Sequence, residues 1–162
     1  MKNELLLLVI VVSAVFLVAG MQGPPEPAGF VENATVSNYS NVFFSYEIVR
    51  YPSGVEISQE DVLGFVTDSW NLNFGVNPGN GSYTTRTIEL SNKEESNVEV
   101  ILRSYGNISP MIVFGKNDFV LEPGEMVPID IFLYSGNHEP GNYSGEIDIV
   151  VKKPIYNFLS IN

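Results

Sequence analysis

From residue 86 onward the chain places an apolar side chain at every second position, again and again. In "RTIELSN" the residues Arg86, Ile88 and Leu90 share one face against Thr87 and Glu89, and in "NVEVILR" Val98, Val100 and Leu102 oppose Asn97, Glu99 and Arg103. "MVPIDIFLY" sets Val127, Ile129, Ile131 and Leu133 on one side, and "GEIDIVV" does the same with Gly145, Ile147, Ile149 and Val151. A period of two means strands with one buried face; a helix would need a period of 3.6. Between these runs lie "NPGNGS", "NKEESN", "GNIS", "EPGE" and "GNHEPGN", all rich in the residues that favour turns. Shorter strand candidates fall at 70–74, 111–114 and 118–121. About seven short strands with regular turns predict an all-β antiparallel sandwich and not a βαβ fold. The stretch "SQEDVLGF", with Ser58 as a cap, is the one short helical candidate beyond residue 21.

The amino terminus has a different grammar. "LLLLVIVVSAVFLVAGM" runs from residue 5 to residue 21 without a charge, behind Lys2 and Glu4, and "QGPPEPAG" follows as a stiff spacer. A spanning helix needs about 17–25 apolar residues and a cleavable signal core about 7–15, so this run sits at the boundary. An uncleaved membrane anchor is the favoured expectation; the other is a signal cut after Val18-Ala19-Gly20, near Met21. Lys2 on the short side puts the remainder outside the membrane.

Residues 24–67 join the two regions. In "NVFFSYEIVRY" both faces carry apolar side chains, Val42, Phe44, Tyr46 and Ile48 on one and Phe43 and Val49 on the other. A strand covered on both sides reads this way. The expectation is that this segment adds strands to the sandwich or covers an outer face, because Ile101, Phe132, Tyr134 and Val150 point outward from the alternating strands and call for cover. The alternative is that these residues, with Phe43 and Phe44, meet another chain by face packing or strand addition.

"WNLNFGVNPGNGSYTTRTIELSNKEESNVEVILR", "FVLEPGEMVPIDIFL" and "EPGNYSGEIDIVV" together resemble the immunoglobulin-like sandwich modules of secreted and membrane-tethered bacterial and archaeal proteins. These include the ASPM-SPD-2-Hydin type and those appended to glycosidases. The resemblance covers residues 68–153. It implies an immunoglobulin-like fold and roles in adhesion, spacing and assembly, and its motifs specify turns, not catalytic residues. Gly79, Gly124 and Gly141, each after a proline, suit positive φ in such turns, and Tyr143 suits a ring laid over the sandwich end.

Composition excludes much chemistry. The formal net charge is −11 with eight Lys and Arg, which argues against nucleic-acid binding. Cysteine is absent, so there are no disulfides, thiolate metal sites or thiol nucleophiles. His138 is the single histidine and lies in a turn, too few for a zinc site. No serine stands in a G-x-S-x-G elbow, and no D-x-D-x-D-G calcium loop or phosphate-binding Gly-Lys loop occurs. No catalytic residue, cofactor or metal is expected. Five N-x-S/T sequons stand at Asn33, Asn38, Asn80, Asn107 and Asn142, the last three in expected turns where a glycan would disturb no strand.

The sequence therefore predicts four parts: an anchor or signal at 1–23, a spacer with a strand extension at 24–67, the sandwich at 68–153 and a tail at 154–162. The function expected is that of a non-catalytic, membrane-anchored extracytoplasmic structural or interaction module of the cell envelope. Its partners would be the membrane through residues 5–21 and an envelope protein or copies of itself. The Cys-free, Asn- and Ile-rich composition suits an archaeal surface. A second expectation is a subunit of a surface filament or of an envelope-anchored motor assembly. A third is a glycan-binding module using Trp70, Tyr83, Tyr105 and Tyr134.

Overall fold

The computed structural model describes residues 2–27, 29–58, 71–79, 81–156, 159 and 161. Among these residues one helix, α1 (Lys2–Met21), precedes nine strands: β1 (Thr35–Ser40), β2 (Phe44–Ser58), β3 (Leu72–Pro78), β4 (Tyr83–Ser91), β5 (Val98–Gly106), β6 (Ile112–Phe114), β7 (Phe119–Leu121), β8 (Met126–Tyr134) and β9 (Gly141–Pro154). A single turn of 3-10 helix at Ser109–Met111 leads into β6. The expected short strands at 111–114 and 118–121 correspond to β6 and β7. The expected helix at 58–65 and Trp70 lie outside the described residues, apart from Ser58, which ends β2.

The strands form two sheets. One has the order β1-β2-β9-β5-β7, with β3 also paired to β2; the other is β4-β8-β6. All pairs are antiparallel except β2 with β3. The two sheets pack face to face, giving a sandwich-like, mostly β molecule. Val55, Ile57 and Ile147 of the larger sheet meet Ile131 and Leu133 of the smaller at one end. Val98, Val100, Leu102 and Ile149 meet Ile129 at the other. Apart from Val55 and Ile57, which the alternation did not place, these are the residues it points inward, and burying each contributes about 1.5–3 kcal/mol.

Residues expected to form an extension are integral to the larger sheet. β2 pairs with β9 without interruption from Phe44↔Pro154 to Ile57↔Gly141. Along its other side β1 pairs Ser45 to Arg50 and β3 pairs from Ser53 onward. Pro52 falls in the gap between these two partners, where a missing N–H costs least. Strands from before residue 68 thus share a sheet with strands after it, and β1 is a strand that the alternation did not reveal.

Two glycines fix the approach of β5 to β9. Gly106 and Gly145 face each other in register, Gly106 with φ 90°, and a methyl on Gly145 would collide with the Tyr105 carbonyl oxygen. Of the three glycines expected at positive φ, Gly124 adopts it at 76°, Gly79 does not, and Gly141 at 159° is nearly extended.

Candidate interaction surfaces

The first surface is where α1 meets the sandwich. The turn between β1 and β2 carries Asn41, whose amide nitrogen donates to the carbonyl oxygens of Gly20 at 3.1 Å and Gln22 at 2.8 Å. Its side-chain oxygen accepts from the N–H groups of Phe43 at 2.9 Å and Phe44 at 2.8 Å. One side chain thereby closes the β1–β2 turn and caps the carboxyl end of the helix, where carbonyls lack intrahelical partners. The Phe43 ring lies against Gly20, so closely that a side chain there would displace it. Phe44 packs with the buried Tyr46, Ile48 and Val150, and the Lys152 ammonium stands 4.3 Å above its ring. Phe43 and Phe44, which the alternative expectation gave to another chain, pack within this one, Phe43 against the helix and Phe44 on the sheet.

Beyond this junction the helix has no cover. Leu6, Leu7, Leu8, Val9, Ile10, Val11, Val12, Val15, Phe16, Leu17 and Val18 are all exposed, on every side of α1. No helix among the described residues is long and apolar enough to cross a membrane.

The second surface is the outer face of the larger sheet, and it is covered at its centre but open at Glu56, Asn142 and Ser144. Strand alternation sends Glu146, Asp148 and Val150 of β9 outward, yet they are 0%, 3% and 1% exposed. The segment after α1 accounts for part of that cover: the Val31 N–H donates to Glu146 Oε2 at 2.9 Å, and the Phe30 ring reaches Gly106. Ile101 packs with Val150 in the same layer. Ile101 and Val150 are therefore occupied within the chain and not free for a partner, as one of the two sequence expectations required.

Beneath this strap, at Phe30 and Val31, sits a cluster that sequence reasoning missed. Arg50, Asp148 and Arg103 are aligned across β2, β9 and β5, with Glu146 one step along β9. Arg50 Nε lies 3.8 Å from Glu146 Oε1 and 3.9 Å from Asp148 Oδ2, ion pairs too long for hydrogen bonds. Burial, a hydrogen bond with Glu146 and the Glu146 charge push the Asp148 carboxyl up to about 7, against the opposing pull of Arg50 and Arg103. Oε1 of Glu146 and Oδ1 of Asp148 have no hydrogen-bond partner in the unprotonated geometry; a proton on Asp148 supplies the bond that two carboxylates cannot make. The only hint in the sequence is that the opposite strand, "SYEIVRY", is apolar on both faces, which implies a covering layer over Glu146 and Asp148.

The third surface, the outer face of the smaller sheet, is open. Tyr83 of β4 stands directly across from Tyr134 of β8, their rings 5.9 Å apart, and Phe132 adds a third ring 6.2 Å from Tyr134. Val113 of β6 pairs with Phe132 and is exposed. Phe132 and Tyr134, expected as outward-facing, are thus gathered with Tyr83 into one aromatic row; Tyr105 is on the other sheet and does not join it. Thr87 and Asp130, hydrogen-bonded at 2.6 Å, continue the face as polar surface.

The sequons fall in varied settings. Asn33 is exposed in a bend, Asn38 is exposed on the edge strand β1, and Asn80 lies outside the described residues. Asn107 is in a turn, where its oxygen accepts from the Ser144 N–H at 2.6 Å, and Asn142 is exposed in the first residues of β9, not in a turn. His138 packs edge-on against Tyr143, whose hydroxyl donates to the Glu139 carbonyl at 2.8 Å. Among the described residues no group of three or more acidic or histidine side chains converges as metal ligands would. No protein-family model and no curated protein matches this chain.

Proposed function

We propose that this chain is a non-catalytic module of a cell envelope, held at a membrane by α1 and presenting its β-sandwich on the outer side. The observation that carries this reading is the continuous apolar surface of α1, exposed all round from Leu6 to Val18. A helix apolar on every side belongs in an apolar medium, not at a water-facing surface. The uncharged run from residue 5 to residue 21 rises about 25 Å, less than the roughly 30 Å of a bilayer core, so it would sit in a locally thinned bilayer. The Asn41 cap then fixes the sandwich at the helix exit, with Phe30 and Val31 held against the sheet, so that the domain lies close to the membrane surface.

The sheets support an immunoglobulin-like arrangement within that reading, with β4-β8-β6 as one sheet and β9-β5-β7 as the body of the other. The open row of Tyr83, Phe132 and Tyr134 is the surface such a module would present, since the centre of the other outer face is already covered.

Alkaline carbonate treatment of membranes from cells producing the full chain tests the anchor. The chain is expected to remain in the pellet and to be released only by detergent. Release by carbonate would refute membrane insertion.

A further inference from the structure

At Glu146 and Asp148 the structure buries charge without satisfying it. The two side chains leave the same face of β9 and are 0% and 3% exposed. Glu146 Oε1 and Asp148 Oδ1 lack a hydrogen-bond partner when both groups are ionised, and Arg50 Nε lacks one as well. Each element packed on the pair contributes a definite group. Arg50 of β2 and Arg103 of β5 are the register partners of Asp148, and Pro52 and Tyr105 are those of Glu146. Arg50 stays 3.8 Å and 3.9 Å from the two carboxylates, too far for the charge-assisted hydrogen bonds that would offset their burial. The remaining cover is the segment after α1. A methyl on Gly23 would come 4.0 Å from Arg103 Nη2, Pro24 is buried, the Phe30 ring reaches Gly106, and the Val31 N–H donates to Glu146 Oε2 at 2.9 Å. The acids of this segment, Glu26 and Glu32, are exposed.

These covers differ in strength. Arg50 and Arg103 ride on strands held by continuous ladders, β2 from Phe44↔Pro154 to Ile57↔Gly141 and β5 from Glu99↔Lys152 to Gly106↔Gly145. Between Gly23 and Ala34 the bond from Val31 to Glu146 is the single hydrogen bond among the described residues. Lifting this strap is therefore the least costly way to bring water to the pair. From these relations we propose that the strap is a proton-operated cover: its closure over the larger sheet takes up one proton from water onto the Glu146 and Asp148 pair, and its lifting returns that proton to water. Closed, the Asp148 carboxyl is pushed up to about 7, first of all by burial. Lifted and hydrated, it returns toward its ordinary value of 3.8. The closed form holds the proton more tightly, so the strap is held most firmly below about pH 4. Each pH unit from there to about 7 shifts the closed-to-open ratio about tenfold toward open, about a thousandfold in all. Above about pH 7 the shift levels off, because the closed form has then lost the proton too. The device works in the same way whether or not α1 enters a membrane.

Hydrogen exchange of the full-length chain in detergent tests this, read at the Val31 amide and divided by the intrinsic rate at each pH. The ratio should rise about tenfold per unit between about pH 4.5 and pH 6.5 and level off above about pH 7. Low guanidinium should leave it unchanged, since a local opening exposes little surface. The parent chain alone gives this profile, so the test does not hang on a variant that folds. Asp148→Asn keeps the shape and removes the proton, and its ratio should stay flat. Glu146→Gln removes the neighbouring charge and should shrink the rise and end it at lower pH. A rise surviving in Asp148→Asn would mark another group, such as His138, which packs on Tyr143 and not on the pair, and would overturn the proposal. So would a flat ratio in the parent, exchange at the intrinsic rate at every pH, or a rise that carries the denaturant dependence of the core amides, because the proton would then leave only on global unfolding.

Discussion

Asp148 and Glu146 stand two residues apart on one face of β9, under a covering strap, with Arg50 and Arg103 on the flanking strands. Because the folded protein raises the Asp148 carboxyl from 3.8 to about 7, the native state binds this proton more tightly than the unfolded chain does. The stabilisation is fully present below about pH 4 and is lost as pH rises through about 7. Asp148→Asn keeps the shape and the hydrogen bond to Glu146 and removes the titration. It should flatten the fall in stability between pH 4 and pH 8 and leave the variant more stable than the parent at pH 8, by of the order of 1 kcal/mol, in denaturant melts across that range. An unchanged pH slope would show that the pair is ionised throughout. At this scale the sequence is legible only where one face is solvent. Ile131 and Leu133 are read correctly from alternation alone, whereas Glu146 and Asp148 look equally like surface residues and are not, because their burial depends on a segment far away in the chain, around Val31.

Among the elements, the strands with strict alternation, β4, β5, β8 and β9, are those whose position and inward face follow from pattern. β1 escapes notice because "TVSNYS" is polar and lies at a sheet edge, where pairing with β2 is backbone chemistry that leaves no apolar signature. β2 runs on through Pro52 and Gly54 to Ser58, past residues that usually end a strand, because its neighbour changes there from β1 to β3. The junction of α1 with the β1–β2 turn depends on Asn41, and a single side chain with four backbone partners is a sharp target. Asn41→Ala leaves the helix end and the turn without their shared partner and should cost about 1–2 kcal/mol locally. Hydrogen exchange at Phe43 and Phe44 should accelerate and protease cleavage near residues 20–23 should increase, while the melting of the sandwich core changes little. Unchanged exchange at both phenylalanines would mean that packing of Phe43 on Gly20 holds the junction by itself.

For the whole molecule, the arrangement is a helix with an apolar surface all round, a strap that meets the centre of the larger sheet at Phe30 and Val31, and a sandwich whose other outer face is open. The helix and the two-layered β body are plain in the sequence; the pairing of β2, which precedes residue 68, along β9 is not. The strap is invisible to pattern reading, since "GPPEPAGFVEN" has the composition of a spacer and only the buried outer layer reveals what it covers. The account turns on α1 remaining part of the mature protein at a membrane surface. Intact mass of the chain purified from native membranes decides that directly. The account predicts a mass that includes residues 2–20, with glycan increments wherever exposed sequons such as Asn33, Asn38 or Asn142 are modified; a mass beginning at or near Met21 would contradict it, because the apolar surface on which the anchor rests would then be absent from the working protein.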